Sequence, residues 1–109
     1  MTSTFVTRVD AATWEPADFG GEVHYVRTEN GEHPYHAGVY RAEGDPPEQF
    51  SYEYELNETI HILEGRVEIA VDGGPTLDLG PGDLASFRAG TRAVWRIYRT
   101  PFREIFVLS

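Results

Sequence analysis

The sequence predicts an all-β fold closed into a barrel, and three observations carry that expectation. Turn signals recur at short intervals along the 109 residues. The runs between them are rich in Val, Ile, Tyr, Phe and Thr, and several alternate apolar with polar residues. No segment keeps a helical period over the length a helix needs. Short strands at close spacing, with turn chemistry between them, are the pattern of a sandwich or barrel.

The turns come at Gly20-Gly21, Glu29-Asn30-Gly31, Gly44-Asp45-Pro46-Pro47, Asp72-Gly73-Gly74-Pro75, Gly80-Pro81-Gly82-Asp83 and Ala89-Gly90. Glycine supplies positive φ and proline fixes φ, so each cluster turns the chain for a definite reason. The first stretch, residues 11–18, has room for one short helical turn, which Pro16 limits. Strands are then predicted over residues 22–28, 35–42, 49–55, 59–64, 67–72, 76–79, 84–88, 93–99 and 103–108. In Val67-Glu68-Ile69-Ala70-Val71-Asp72 the apolar residues 67, 69 and 71 share one side. Asp72-Gly73-Gly74 is a hairpin signal. With no linker, repeat or low-complexity tract, residues 1–109 are expected to form one domain, with residues 1–20 as an N-terminal arm.

Composition removes several classes of chemistry. There is no cysteine, so no disulfide, thiolate metal site or thiol nucleophile exists. All nine basic residues are arginines, which excludes lysine Schiff-base chemistry. The formal net charge is −9, with 18 Asp and Glu against those nine arginines, and a nucleic-acid binder needs the opposite balance. The opening Met1-Thr2-Ser3-Thr4-Phe5-Val6-Thr7-Arg8 does not read as a signal peptide, and no run approaches the roughly 18 apolar residues of a membrane span. A cytoplasmic protein is the expectation.

Glu58 and Gly65 stand seven apart in the stretch Tyr52-Glu53-Tyr54-Glu55-Leu56-Asn57-Glu58-Thr59-Ile60-His61-Ile62-Leu63-Glu64-Gly65. This resembles the first motif of the cupin superfamily: HxH, three or four residues, Glu, six residues, Gly. Gly82-Asp83-Leu84 and Arg88-Ala89-Gly90 resemble the second motif: Gly, five residues, Pro-x-Gly, two residues, His. Trp14-Glu15-Pro16, Gly38-Val39-Tyr40 and the run Gly90–Arg96 are similar to small single-domain cupins of the ureidoglycine aminohydrolase type. The resemblance implies a cupin-type jelly-roll barrel. It does not imply one reaction, because the fold hosts many.

The departures from the motifs are informative. The two motif histidines fall on Tyr52 and Tyr54, the motif proline on Arg88 and the late histidine on Ala93. Of the four usual ligands only Glu58 remains. A stable transition-metal site needs three or four converging N or O donors, so neither a metal nor another cofactor is expected here. His61 is three residues from Glu58 and so points to the other face of a strand. His24, His33 and His36 form no metal-ligand spacing.

If Glu58 points into the barrel, as the motif implies, alternation turns Ile60 and Ile62 inward as well. Phe50, Tyr52 and Tyr54 make a neighbouring inward column; Ala93, Trp95 and Ile97 make another. An aromatic pocket around one carboxylate is the composition of a small-molecule site. The expected catalytic set is Glu58, Tyr52 and Tyr54, and the expected binding set is Tyr40, Phe50, Ile60, Arg88, Ala93 and Trp95. The competing reading is a filled core, with Arg88, Arg96, Arg99 or a tyrosine as structural partner of Glu58. A carboxyl group desolvated among aromatics gains proton affinity and suits acid/base work. That points to metal-independent isomerisation, cyclisation or elimination on a small organic molecule. A non-catalytic binding protein and a metal-dependent hydrolase with unusual ligands remain the alternatives. A homodimer is expected, as the resemblance implies, with Phe5, Val6 and Val9 as candidates for a strand exchanged between protomers.

Overall fold

A computed structural model describes residues 8–9, 13–27 and 36–109. Its strands are β1 (Glu15–Pro16), β2 (Glu22–Arg27), β3 (His36–Ala42), β4 (Phe50–Glu53), β5 (Glu58–Val71), β6 (Thr76–Leu79), β7 (Leu84–Phe87) and β8 (Arg92–Leu108). All pair antiparallel in the order β1-β2-β3-β8-β5-β6, with β4 added to β8 and β7 to β5. No α-helix occurs among the described residues. The predicted turn at 29–31, together with Phe5, Val6 and His33, lies outside them.

Two corrections follow from the long strands. The predicted strands 59–64 and 67–72 are one strand, β5, and 93–99 and 103–108 are one strand, β8. Each serves two parts of the wall. The first half of β8 pairs with β4 and the end of β5; its second half pairs with β3 and the start of β5. The join is a run of register shifts between Ile62 and Val67, centred on Gly65. Gly65 holds φ at +78°, and a Cβ there would lie 2.5 Å from the Arg99 carbonyl and 2.6 Å from that of Pro101. Glycine lets β5 bend where any other residue would collide with backbone. At the gap between the two predicted strands, residues 65–66, the chain bends and continues instead of breaking.

Residues 13–18, the described part of the segment expected to hold a helical turn, contain no helix. Glu15 and Pro16 form a short edge strand against Val23 and Glu22, a position where proline costs no ladder bond. The chain then reverses through Gly20 and Gly21, closed by Ala17 N–H to Gly21 O at 3.0 Å and Gly20 N–H to Ala17 O at 3.1 Å.

Inward alternation makes the core. Ile60, Ile62, Val67, Ile69 and Phe102 are fully buried. Trp95 and Ile97 from β8 join them, with Phe87 from β7. Each large aliphatic side chain of this kind stabilises the fold by about 2–5 kcal/mol against truncation to alanine. At one end of the barrel the inward column changes character, and there the polar chemistry collects.

Candidate active site

Glu58 opens β5, and the alternation that buries Ile60 and Ile62 turns it inward to 6% exposure. Phe50 and Tyr52 on β4 point the same way, while Ser51 and Glu53 face out. Trp95 on β8 lies directly opposite Phe50 in the sheet. Val23 and Tyr25 on β2, Tyr40 on β3 and Phe106 on β8 complete the wall of a cavity of about 290 Å³. The cavity is open space, so the aromatics do not simply fill the barrel.

The Tyr52 hydroxyl donates to Glu58 Oε1 at 3.0 Å. Burial pushes the Glu58 carboxyl up to about 7, and the Tyr52 bond pulls it back only in part. Desolvation wins because one hydrogen bond replaces far less solvation than a carboxylate loses. Near neutral pH, Glu58 therefore divides between base and acid. Tyr52 itself is pushed well above its ordinary value, first by burial and then by the charge of Glu58, so it stays a donor.

A second carboxyl group shares the cavity. Glu104 lies on β8 between β3 and β5, opposite Tyr40 on one side and Ile62 on the other. It is 4% exposed, and its Oε2 has no hydrogen-bond partner among the described residues. Burial, then the charge of Glu58, pushes its proton affinity well above the ordinary carboxylate range. A buried, unpartnered carboxylate beside another is costly, and both effects favour the protonated form of Glu104. Sequence reasoning missed Glu104. The signal was parity: in Phe102-Arg103-Glu104-Ile105-Phe106 the glutamate shares the inward side with two buried phenylalanines.

The segment after β1 covers the cavity. Tyr40 donates to Gly20 O at 2.8 Å, which ties down the 17–21 turn. Phe19 then stacks on Phe50 with centroids 4.6 Å apart and meets Tyr52 edge-on at 5.7 Å. Phe50 continues the stack onto Trp95 at 5.8 Å. Such contacts add about 0.5–1.5 kcal/mol per pair beyond burial. Glu15 and Asp18 bring two more carboxyl groups to the lining.

Of the residues expected from sequence, the structure brings together Glu58, Tyr52, Tyr40, Phe50 and Trp95. Tyr54 is 1% exposed and stands away from the cavity. Its hydroxyl accepts from Trp95 Nε1 at 3.1 Å and its ring stacks on Phe87 at 4.5 Å. Ile60 is packed within the core. Ala93 pairs with Tyr52 and lines a second hollow with Ser51, Glu53 and Arg92. Arg88 is exposed in the turn between β7 and β8, and Arg96 pairs with Glu68 at 3.3 Å. The partner of Glu58 is thus the tyrosine and not an arginine.

The residues at the cupin metal positions do not fit a transition metal. Ala93 has no donor, Tyr54 is committed to Trp95, and Tyr52 donates its proton to Glu58. Among the described residues no three His, Asp or Glu side chains converge as a metal-holding group. His61 faces away from Glu58 on β5, and His24 Nδ1 lies 2.9 Å from the Thr13 carbonyl oxygen, on the face opposite Val23 and Tyr25.

Comparison with known proteins places this geometry in a lineage. The family model described as the EutQ-like cupin domain matches residues 44–106. A DUF861 family protein from Thermotoga maritima is 32% identical over 65% of this chain and 76% of its own, with a TM-score of 0.57. A Salmonella typhimurium protein, named as a candidate ethanolamine utilization protein Q, is 18% identical over 94% of this chain and 83% of its own, TM-score 0.74. KdgF from Halomonas sp. is 18% identical over 98% and 94%, TM-score 0.72. The latter two are likenesses of fold alone; the family match identifies the antiparallel barrel as a cupin jelly roll. No match is found among curated proteins.

Proposed function

Because the chain belongs to the EutQ-like cupin domain family, we propose that its barrel pocket is an enzyme site for acid/base chemistry on a small organic molecule, of isomerase, cyclase or lyase type. One observation carries this reading. Glu58 sits in an aromatic cavity with a tyrosine as its only hydrogen-bond partner among the described residues, poised near neutral pH. In its carboxylate form Glu58 takes a proton from an acidic C–H or O–H of the bound molecule. In its acid form it returns that proton to a second atom, or to a leaving oxygen. General acid/base catalysis of this kind contributes about 10²–10⁴-fold. Tyr52 fixes the carboxyl plane and remains protonated, so it can also donate to an oxygen that gains charge. The donor set at the cupin metal positions supports a route that uses the protein's own groups.

The test is proton exchange. Small carbonyl, enol and amino compounds are incubated with the protein in D2O, and NMR follows deuterium entering at carbon. The expected result is exchange, and any net rearrangement, that Glu58→Gln reduces at least 100-fold with the fold intact. Undiminished exchange in Glu58→Gln ends the reading. Saturable binding without exchange favours a non-catalytic binding cupin in the same cavity.

A further inference from the structure

The charges around the cavity are one-sided. Among the described residues its lining contains four carboxyl residues, Glu15, Asp18, Glu58 and Glu104, and neither arginine nor histidine. Five of the nine arginines are engaged elsewhere: Arg41 with Glu22, Arg66 with Asp78, Arg92 with Glu53, Arg96 with Glu68 and Arg103 with Glu43. A carboxylate or phosphate brought into this space would meet no cationic side chain among the described residues, and low-dielectric walls would magnify its repulsion by the four carboxyl groups. The net charge of −9 raises the local concentration of cations instead.

Two further features go beyond repulsion of anions. Glu104 Oε2 is buried, lacks a hydrogen-bond partner among the described residues, and belongs to the cavity lining. It is an acceptor with nothing to accept. The stacked rings of Phe19, Phe50 and Trp95, with Tyr52 edge-on to Phe19, line the same space with apolar surface against which a flat organic body packs. At about 290 Å³ the space is at the small end of ligand pockets.

We propose that the cavity selects a small organic cation, a protonated amine or related nitrogen cation on a flat or apolar body, and that Glu104 is the anchor that receives its N–H. The inference rests on reading this cavity as the site, and it adds the substrate class. An arriving cation stabilises the carboxylate form of Glu104, so Glu104 loses its proton to solvent as the ligand binds. Affinity therefore rises with pH. The titratable groups facing Glu104 are Glu58 from β5, Tyr40 from β3, Tyr52 from β4, Tyr25 from β2, and Glu15 and Asp18 from the covering segment. Glu58 is a second carboxyl group whose proton affinity burial raises, to about 7.

The test uses three probes of one shape: benzylammonium, benzyl alcohol and benzoate. Binding to the intact protein is followed by NMR shifts of the Trp95 ring at pH 8. The expected result is benzylammonium at least tenfold tighter than benzyl alcohol, with benzoate weakest. Glu104→Gln, which keeps the shape, should weaken benzylammonium at least tenfold and leave benzyl alcohol within twofold. Calorimetry of Glu58→Gln at pH 7 in two buffers of different ionisation enthalpy should still detect proton release, which Glu104→Gln in the same background abolishes. Equal or tighter binding of benzyl alcohol or benzoate to the wild-type protein overturns the charge preference and leaves the cavity as a site. If none of the three shifts Trp95, the cavity reading and the inference fall together.

Discussion

The Tyr52 hydroxyl donates to Glu58 Oε1 at 3.0 Å, and this is the bond that keeps a buried carboxyl group titratable near neutral pH. Hydrogen bonding to the charged form favours it, so the bond opposes the desolvation that pushes Glu58 up. Tyr52→Phe should therefore raise the Glu58 pKa above its value of about 7. Carbon-detected NMR titration of the labelled carboxyl group reads the shift. A downward or absent shift would show that the bond does not form in solution.

Stability should fall as pH rises through neutrality because of the same group. Glu58 binds its proton more tightly in the folded chain, at about 7, than unfolded, at about 4.3. The folded state thus holds more protons between those values, and its contribution is full below the lower one and lost as pH rises through the upper. The size is on the order of 3 kcal/mol. Glu58→Gln should be more stable than wild type at pH 8 and close to it at pH 4. Urea unfolding at both pH values measures the difference.

Tyr54 gives a contrast within one strand column. Its hydroxyl accepts from Trp95 inside the core and its ring packs on Phe87, away from the cavity. Tyr54→Phe should cost about 1 kcal/mol, since it leaves the Trp95 N–H unpaired, and should leave proton exchange within a few-fold of wild type. Tyr52→Phe should instead change the pH profile of exchange. Comparing thermal midpoints with exchange rates for the two variants separates the roles.

Gly65 is where β5 must bend. Gly65→Ala combines a left-handed backbone with a Cβ driven into two carbonyl oxygens. Strain of about 1–3 kcal/mol comes from the backbone conformation alone, and the contact adds to it. The expected result is a clear drop in the urea midpoint, whereas Gly73→Ala, with open space around its Cβ, should lose only the cost of its conformation.

Phe19 covers the site through contacts that sequence periodicity does not encode. Phe19→Ala should open the cavity, weakening the grip on an apolar probe such as benzyl alcohol by at least threefold. Because Phe19 stacks on Phe50 at the surface of the core, the stability cost should stay below the roughly 3–5 kcal/mol of a fully buried phenylalanine. Probe titrations and urea unfolding on the same variant check both.

Much of this molecule was legible from its chain. Alternation and turn residues determined which segments are strands and which side of each faces in, because the side-chain period of a strand is two whatever its partners are. That parity placed Phe50, Tyr52 and Trp95 beside Glu58, and motif spacing singled out Glu58. Other features depended on partners far away in sequence. Whether the chain reverses or bends at Gly65 is decided by the carbonyls of Arg99 and Pro101. Whether Tyr54 meets the cavity or the core is decided by Trp95 and Phe87. Parity turned Glu104 inward, but only its neighbours on β3 and β5 removed its water and left Oε2 without a partner. Local geometry sets direction; solvation, and with it proton affinity, is a property of everything packed around the group.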